Sequence, residues 1–480
     1  MLTIILRSSS VHLPVFRTFQ YDKSNITTIT TLLAGIAGLI LVALSFSSSR
    51  APKLAPGVYV VGGDDEKSIR VSRERFRQNA KEMLAEGYEK TGGGLSYIPS
   101  PLGERLMIPL KHLDELKTAP IDHVDFVATF IEMFEGKYTT MGSRSTLHPR
   151  VVKAQLNHHL GDVMPAVQEE IIDAFRDTFP SYWTPVPVVH TLTQIVARVS
   201  SRMFGGTALS HNDEWVQSSI KFAIDGFIGA QTIKKYPEYL KPLVARFVPE
   251  IRNIANHYAA AEAAAIPLLE ARRRTGEREM DLLYWMAEQA KDEECDPKFL
   301  ASILLKISFA AIHTSAAAPA QLIYDLCEHP EFIDPLRQEA ESVVNADGLM
   351  DKLSFLRMFK MDSFMKESQR FNPLLLITFE RVVHKPWTLS SGFTIPAGTT
   401  IGVPTQAITM DPKLYPNPEV FDPFRFSKLR EEHRELDGRA HTTCGFPRAR
   451  RGPRACVSRL SPYHTPRRPW NSEGGRSRHF

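Results

Sequence analysis

The sequence predicts a mainly α-helical fold with a small β region, arranged as one large domain. Long stretches with helical character cover 66–90, 248–275, 297–327 and 351–370, and a short β-rich segment follows at 376–383. Apolar residues make up 43% of the 480 residues and charged residues 23%, as in ordinary globular proteins. No internal repeat of about 20–50 residues is present.

An uncharged run at 29–46 precedes the helical body. At about 1.5 Å per residue this run would extend roughly 27 Å as a helix, close to the roughly 30 Å apolar core of a bilayer. It begins too far from Met1 for a signal peptide, and no small-residue cleavage site stands out. We therefore expect a single membrane anchor, with a buried helix as the alternative. Residues 1–28 would precede the anchor, and a proline-containing linker at 47–64 would follow it.

The helical stretches differ in character. Residues 66–90 are highly charged, amphipathic and free of proline, whereas 248–275 contains the strong helix formers Ala-Ala-Ala-Glu-Ala-Ala-Ala. Residues 297–327 form a long, mostly apolar stretch. The pattern changes after Pro373, because 376–383 is rich in β-favouring residues, and glycine-containing turns then separate further short strands.

The formal charge of +4 has its origin in the last part of the chain. Residues 439–480 hold ten arginines, no lysine and one acid, Glu473, so this tail carries +9 and the rest of the chain carries 4 − 9 = −5. The near-balance over the whole chain argues against a protein that coats nucleic acid. Four cysteines in the chain are too few for a secreted disulfide scaffold.

Three charged residues form the first candidate motif. Glu367 and Arg370 are three residues apart on a predicted helix, so they share a face and can pair. Arg425 follows in the proline- and aromatic-rich segment 415–426. Because a guanidinium group can form two hydrogen bonds with one carboxylate, Glu367 could hold both arginines. An exposed ion pair on a helix stabilises a protein by under about 1 kcal/mol and is common. The pair alone is therefore weak evidence for a motif, and Arg425 strengthens it.

The second candidate motif lies within the long apolar stretch. The small residues Ala310 and Ala311 are followed by His313 and Thr314. Small side chains allow a flat group to approach the helix, and Thr314 could donate a hydrogen bond to it. Pro319 lacks an N–H group, so we expect a distorted turn just after Thr314. The alternative is a tightly packed helix in which Thr314 bonds its own backbone.

These motifs, in this order and at this spacing, resemble the cytochrome P450 family of haem-thiolate monooxygenases. The resemblance runs from about 29 to 440. Within the family, the chain is similar to the fungal microsomal branch of secondary metabolism that includes the ent-kaurene oxidases. That similarity is carried by the stretches 309–314, 361–373 and 395–400. The resemblance implies the cytochrome P450 fold, with the C-terminal haem-ligand loop and the last elements degraded or missing.

The resemblance implies a role for each matching residue. Glu367, Arg370 and Arg425 would be a structural triad that holds the region near the haem. Thr314 and His313 would be catalytic, at the position of the acid–threonine pair that manages protons during oxygen activation. A histidine in that pair is a departure from the commonest family pattern.

The implied cofactor is haem, iron protoporphyrin IX with a thiolate ligand. Ala310 and Ala311 would lie against it, and Arg381 would meet a propionate. The apolar wall of the substrate pocket favours a bulky hydrophobic substrate. This wall would be formed by Phe309, Leu375, Leu376 and Ile377.

Two cysteines lie in the part of the chain where the iron ligand is expected. Three of six pattern positions around Cys456 match, namely Gly452, Arg454 and Arg459. Cys444 is followed by Gly-Phe-Pro-Arg, which matches less well. We therefore take Cys456 as the metal ligand and Arg454 as a cofactor-binding residue, with Cys444 as the alternative.

The tail departs from the family pattern. Arginine, proline and glycine are frequent together and lysine is absent, as in a shifted or unspliced reading frame of a GC-rich gene. We hypothesise that the chain follows the family to about Arg439 and then leaves it, and a cDNA that encodes this same tail would contradict this. A basic arm that binds anionic lipid or nucleic acid is the alternative.

The sequence thus predicts a membrane-anchored haem monooxygenase that oxidises a bulky hydrophobic secondary metabolite, terpenoid or polyketide-like. The alternative is an inactive, haem-less remnant. No Gly-x-Gly-x-x-Gly motif is present, so we do not expect the chain to bind a nicotinamide cofactor itself. The resemblance implies that electrons come from NADPH-cytochrome P450 reductase. The other partners would be the substrate and membrane lipid, with no nucleic acid. A catalytic domain at 65–438 would face the cytosol from the endoplasmic reticulum membrane, with 1–28 in the lumen and 439–480 as an atypical tail.

Overall fold

The computed structural model describes residues 54–437, except 180 and 347, together with the helical glycines Gly35 and Gly38. The described residues form a mainly helical fold with a small sheet, which confirms the predicted fold class. The degraded C-terminal elements that were also predicted lie outside the described residues.

The chain divides into two units, Met1–Ala51 and Pro52–Phe480, and the fold below belongs to the second. Of the predicted anchor at 29–46, only the two helical glycines are described. The tail at 439–480 lies outside the described residues.

The α-helices of the described residues are α1 (Glu66–Lys90), α2 (Leu113–Lys117), α3 (Phe126–Met133), α4 (Gly136–Thr139), α5 (Leu147–Val151), α6 (Leu160–Thr178), α7 (Val188–Gly205), α8 (Thr207–Ser210), α9 (Asp213–Ile233), α10 (Lys241–Val244), α11 (Pro249–Thr275), α12 (Leu282–Gln289), α13 (Pro297–Glu328), α14 (Ile333–Val343), α15 (Lys352–Arg357), α16 (Phe359–Phe371), α17 (Thr405–Thr409) and α18 (Arg425–Asp437). Shorter 3-10 segments are Leu110–His112, Asp292–Cys295 and Pro330–Phe332, and a π-helical turn covers Val152–Leu156.

Side chains and glycine set the ends of the long helices. Asp65 accepts a hydrogen bond of 3.0 Å from the backbone N–H of Ser68 at the start of α1. Asp296 accepts one of 3.0 Å from the N–H of Lys298 at the start of α13. Each cap satisfies one of the N–H groups that the first turn of a helix leaves unpaired. Helix α11 ends at Gly276, whose φ of +71° lies in the left-handed region that glycine adopts without steric cost.

Three of the four predicted long helices match helices of the fold. The stretches 248–275 and 297–327 correspond to α11 and α13, and 66–90 corresponds to α1, which is kinked at Asn79 (φ −124°, ψ 36°). The alternation at 376–383 likewise corresponds to a strand. Local propensity and hydrophobic spacing are sufficient to locate these elements.

The fourth stretch, 351–370, forms two helices rather than one. Met358 separates α15 from α16 with a non-helical ψ of 71°. The carboxylate of Glu339 on α14 accepts hydrogen bonds of 2.8 Å from the backbone N–H groups of Lys360 and Met361 in the first turn of α16. A distant side chain thus caps the second helix, which explains why the sequence pattern did not show the break.

The strands form two sheets. They are β1 (Tyr59–Val60), β2 (Ser96–Ser100), β3 (Gly103–Met107), β4 (Val124–Asp125), β5 (Ile377–Val383), β6 (Trp387–Thr388), β7 (Thr394–Ile395) and β8 (Thr400–Pro404). The larger sheet has the order β1-β2-β3-β8-β5-β4, and β6 pairs with β7. Strand β5 runs antiparallel to β8, with an irregularity between Thr378 and Arg381. Phe379 lies within it at a φ of +55°.

Helix α13 is the central helix of the helical core. It packs against α7, α9, α11 and α12, and it buries Leu300, Leu304 and Ile312. Of the described helices, it alone has the length and mean hydropathy (1.5) that a membrane span requires. The helix runs without interruption through Pro319, so the distorted turn predicted after Thr314 is absent. Packing on four neighbouring helices offsets the roughly 3 kcal/mol that an interior proline costs.

Candidate active site

One face of α13 stays exposed although the helix lies in the core. Ala310, Thr314 and Ser315 are exposed, whereas Ile312 and Ala316 are buried. Ala310 and Thr314 are four residues apart, so they stand on adjacent turns of one face. This exposed stripe of α13 presents small side chains and hydroxyl groups, and a planar ligand can approach it closely. Ala311, in contrast, packs against the core.

The two predicted catalytic residues make different contacts. Thr314 Oγ1 donates a hydrogen bond of 2.6 Å to the carbonyl of Ala310, which is the backbone bond that the alternative interpretation described. His313 Nε2 lies 3.1 Å from the carbonyl of Ile220 on α9. Because a carbonyl only accepts, this contact assigns the proton to Nε2. Successive helical residues are about 100° apart, so His313 is directed away from the exposed stripe.

Glu367 binds both arginines of the predicted triad. Arg370 donates two hydrogen bonds of 2.8 Å to the two carboxylate oxygens of Glu367. Nε of Arg425 lies 3.2 and 3.1 Å from the same two oxygens. The side chains of Glu367 and Arg370 are 0% and 2% exposed. A buried carboxylate thus has two cations as partners, which compensates for the desolvation of all three groups.

The two arginines also bind the segment 409–420 through its backbone. Arg370 Nη1 donates to the carbonyls of Thr409 at 2.9 Å and Pro418 at 2.8 Å. Arg425 Nη1 and Nη2 donate to the carbonyls of Pro416 at 2.6 Å and Val420 at 2.9 Å. Loop carbonyls have no regular partners, so these bonds fix the segment against α16. The sequence predicted the pairing with Glu367 but not these backbone contacts.

Arg381 is a buried cation without a carboxylate partner among the described residues. Its guanidinium lies over the rings of Phe126 at 4.7 Å and Phe379 at 4.3 Å, and Nη1 donates to the carbonyl of Glu380 at 2.8 Å. Burial lowers the pKa of Arg381 below its usual value, to about 10, although the charges of Asp125 and Glu380 act in the opposite direction. The carboxylate of Glu380 is bound to Arg105 at 2.8 Å instead. Arg381 therefore has the capacity to bind an external anion.

Aromatic rings connect Arg381 with the exposed stripe of α13. The ring of Phe126, under the guanidinium, lies 6.2 Å from that of Phe130. Phe130 in turn makes an edge contact of 5.7 Å with Phe309, the residue before Ala310. Arg381 and the stripe thus border one apolar region.

The predicted pocket residues lie in three environments. Leu375 is 59% exposed. Leu376 and Ile377 pack against a cluster that includes Met83 and Met107, between α1 and the sheet. Phe309 packs against the helical core, where its ring makes edge contacts of 5.1 Å with Phe134 and 6.4 Å with Phe222.

Two polar residues near this region were not singled out from the sequence. Lys306 precedes Thr314 by eight residues on α13, and His148 lies on α5. A lysine inside a mostly apolar helix is a signal that could have identified the first. The proximity of His148 to Lys306 could not be predicted, because α5 and α13 are distant in the chain.

The predicted iron ligand Cys456, the alternative Cys444 and the neighbouring Arg454 lie outside the described residues. Of the cysteines within them, Cys295 and Cys327 are free and exposed. No group of three or more His, Cys, Asp or Glu side chains suited to a metal occurs in the described part of the chain.

The sequence model of the cytochrome P450 family matches residues 130–457. This match continues beyond Arg439, to which the resemblance was expected to extend, and it includes both Cys444 and Cys456. With the helical fold and the relatives described next, it shows that the chain belongs to the cytochrome P450 family, whose members are monooxygenases.

Fungal relatives agree with this assignment. The chain is 33% identical to cytochrome P450 monooxygenase braC of Annulohypoxylon truncatum, over 82% of this chain and 80% of the relative. It is 34% identical to cytochrome P450 monooxygenase olcJ of Penicillium canescens, over 76% and 71%. It is 33% identical to the ent-kaurene oxidase of Fusarium fujikuroi, over 75% and 70%. The similarity to fungal ent-kaurene oxidases that the sequence predicted is thereby confirmed.

The described residues fit the haem that this family implies. A planar ring needs a surface of small side chains, and Ala310 and Thr314 present one. Haem propionates need a cation, and Arg381 has a guanidinium that no described carboxylate binds. Both groups border the same aromatic region, so one ligand could contact both.

Proposed function

We propose that this chain is a haem-dependent monooxygenase that oxidises a bulky hydrophobic secondary metabolite, terpenoid or polyketide-like. The observation that carries the proposal is the exposed stripe of small residues on the central helix, bordered by Arg381 and an aromatic cluster. Family membership and the fungal relatives support the reaction class. When bound, haem supplies the activation of dioxygen, with electrons from NADPH-cytochrome P450 reductase.

The protein's own residues bind and orient the reactants. Ala310 and Ala311 belong to the helix turn that would lie against the haem, and Arg381 would bind a propionate. Phe309 and its ring neighbours hold the apolar part of the substrate and exclude water. Thr314 holds a proton at Oγ1 on the exposed stripe, and His313 holds one at Nε2 toward α9.

The iron ligand in this proposal would be the thiolate of Cys456, and Arg454 would be a cofactor-binding residue. The triad of Glu367, Arg370 and Arg425 fixes the segment that precedes this cysteine in the chain. A guanidinium network of this type positions the backbone and takes no part in the reaction.

The placement in the cell is part of the same proposal. A single span at 29–46 and a linker at 47–64 would attach the domain 65–438 to the endoplasmic reticulum membrane, with that domain in the cytosol. The length and apolar character of the span support this arrangement.

Purified full-length protein tests the proposal. After reduction and addition of carbon monoxide, we expect the absorption band of thiolate-ligated haem. Absence of this band, with no haem recovered during purification, would overturn the proposal in favour of an inactive remnant.

A further inference from the structure

Lys306 is an unpaired cation inside the fold. Its ammonium lies 5.9 Å from the ring centre of Tyr258 on α11, and no carboxylate of the described residues is within ion-pair distance. Burial lowers the pKa of Lys306 below its usual value. Lys241, which is buried, has Glu135 at 2.7 Å and also contacts Glu238. The fold therefore provides carboxylates for Lys241 and none, among the described residues, for the half-buried Lys306.

His148 provides an unpaired polar atom near the same lysine. Its Nδ1 is buried and has no hydrogen-bond partner among the described residues. Burial, and next the charge of Lys306, lowers the pKa of His148 to about 4, so the imidazole is neutral at pH 7. A buried nitrogen without a hydrogen-bond partner destabilises the fold, so the two groups together are an unsatisfied polar site.

This polar site adjoins the aromatic cluster of the candidate active site. The ring of Tyr258, beside Lys306, makes an edge contact of 5.5 Å with Phe222. Phe222 makes one of 6.4 Å with Phe309. At about 100° per residue, Lys306 lies about 60° from Phe309 and about 80° from Thr314 around the axis of α13. An apolar molecule that lies along the helix could therefore contact the rings and reach the ammonium.

We propose that Lys306 and His148 bind the carboxylate of a substrate that is otherwise apolar and elongated. This inference rests on the function proposed above and narrows its substrate class. An ammonium and a neutral imidazole offer a charge-assisted hydrogen bond and a second N–H donor to the two carboxylate oxygens. Eight residues separate Lys306 from Thr314, a rise of about 12 Å along the helix. The oxidised position would lie about this far from the carboxylate.

Matched probes test the inference in the full-length protein. Dodecanoate and dodecanol have the same chain and differ in the end group, and equilibrium dialysis measures the binding of each without turnover. We expect the wild type to bind dodecanoate at least about tenfold more tightly. Lys306→Met should abolish this preference, and Lys306→Arg should retain it. Lys298→Met, at a side chain 67% exposed on the same helix, should leave it unchanged.

Further measurements distinguish a substrate carboxylate from a haem propionate as the group that Lys306 binds. His148→Phe should weaken dodecanoate binding by about threefold or more and leave dodecanol binding unchanged. If Lys306→Met lost haem during purification and the wild type showed no preference between the probes, the lysine would bind a haem propionate and the inference would be wrong. Retention of the preference in Lys306→Met would also overturn it. A missing carbon monoxide band with the preference intact would count against the proposed function only.

Discussion

Glu367 and Arg370 are one turn apart on α16 and share two hydrogen bonds of 2.8 Å, with neither side chain more than 2% exposed. The pair is a buried ion pair with excellent geometry, and Arg425 completes it at 3.1 Å. Such a pair stabilises the folded protein little more than apolar side chains of the same size would. Removal of one partner, however, leaves a buried charge without compensation and is strongly destabilising. Its stability contribution is therefore measurable by neutralising the shared carboxylate.

Glu367→Gln should lower the free energy of unfolding by about 3–5 kcal/mol, because two arginines would lose the carboxylate that they share. Denaturant unfolding of the full-length protein, followed by circular dichroism, measures this. Glu341→Gln removes an exposed carboxylate and should change the value by less than about 0.5 kcal/mol. Equal effects of the two substitutions would show that the triad does not stabilise the fold.

The two cysteines of the C-terminal region give opposite expectations. Cys456→Ala should abolish the carbon monoxide band, because an alanine supplies no thiolate to the iron. Cys444→Ala should retain it. The spectrum of the reduced protein with carbon monoxide distinguishes the variants, and the reverse result would assign the ligand to Cys444.

Two neighbouring buried arginines allow a matched test of the haem site. Arg105 is paired with Glu380 at 2.8 Å, whereas Arg381 has no carboxylate among the described residues. Arg105→Met should destabilise the haem-free protein by about 3–5 kcal/mol, and Arg381→Met by less than about 1 kcal/mol. Arg381→Met should instead weaken haem binding by at least about tenfold.

Haem titration of the haem-free protein and denaturant unfolding supply the two measurements for these arginine variants. If Arg381→Met destabilised the haem-free protein as much as Arg105→Met did, Arg381 would be a structural residue and its role toward a propionate would be refuted.

His148 should make stability depend on pH in a defined interval. Its pKa falls from 6.5 in the unfolded chain to about 4 in the fold, so the unfolded state binds more protons between these values. Stability should therefore decrease as the pH falls from about 6.5 to about 4, by on the order of 2–3 kcal/mol from this residue.

The free energies of unfolding of the wild type and His148→Leu are compared over this pH interval. Carboxylates titrate in both proteins, so the difference between the two reports His148 alone. Relative to the variant, the wild type should become less stable as the pH decreases. If the difference in free energy of unfolding between the two proteins stayed constant from pH 7 to pH 4, the prediction that the fold lowers the pKa of His148 would be wrong.

The fold class and most long helices could be predicted from the amino-acid sequence, because α1, α11 and α13 follow from local propensity and hydrophobic spacing. The pairing of Glu367 with Arg370 was also predictable, since i,i+3 residues share a helix face. The likeness to fungal P450 enzymes could be found from short motifs that survive at about one-third identity.

Other features of the protein depend on contacts between segments that are distant in the chain. The break at Met358 depends on Glu339, and the bonds of Arg370 depend on carbonyls far along the chain. The unpaired state of Arg381 and Lys306 is likewise a property of what surrounds them. The physical reason is that burial and pairing are set by contacts between distant segments, whereas a sequence pattern records only the preferences of neighbours.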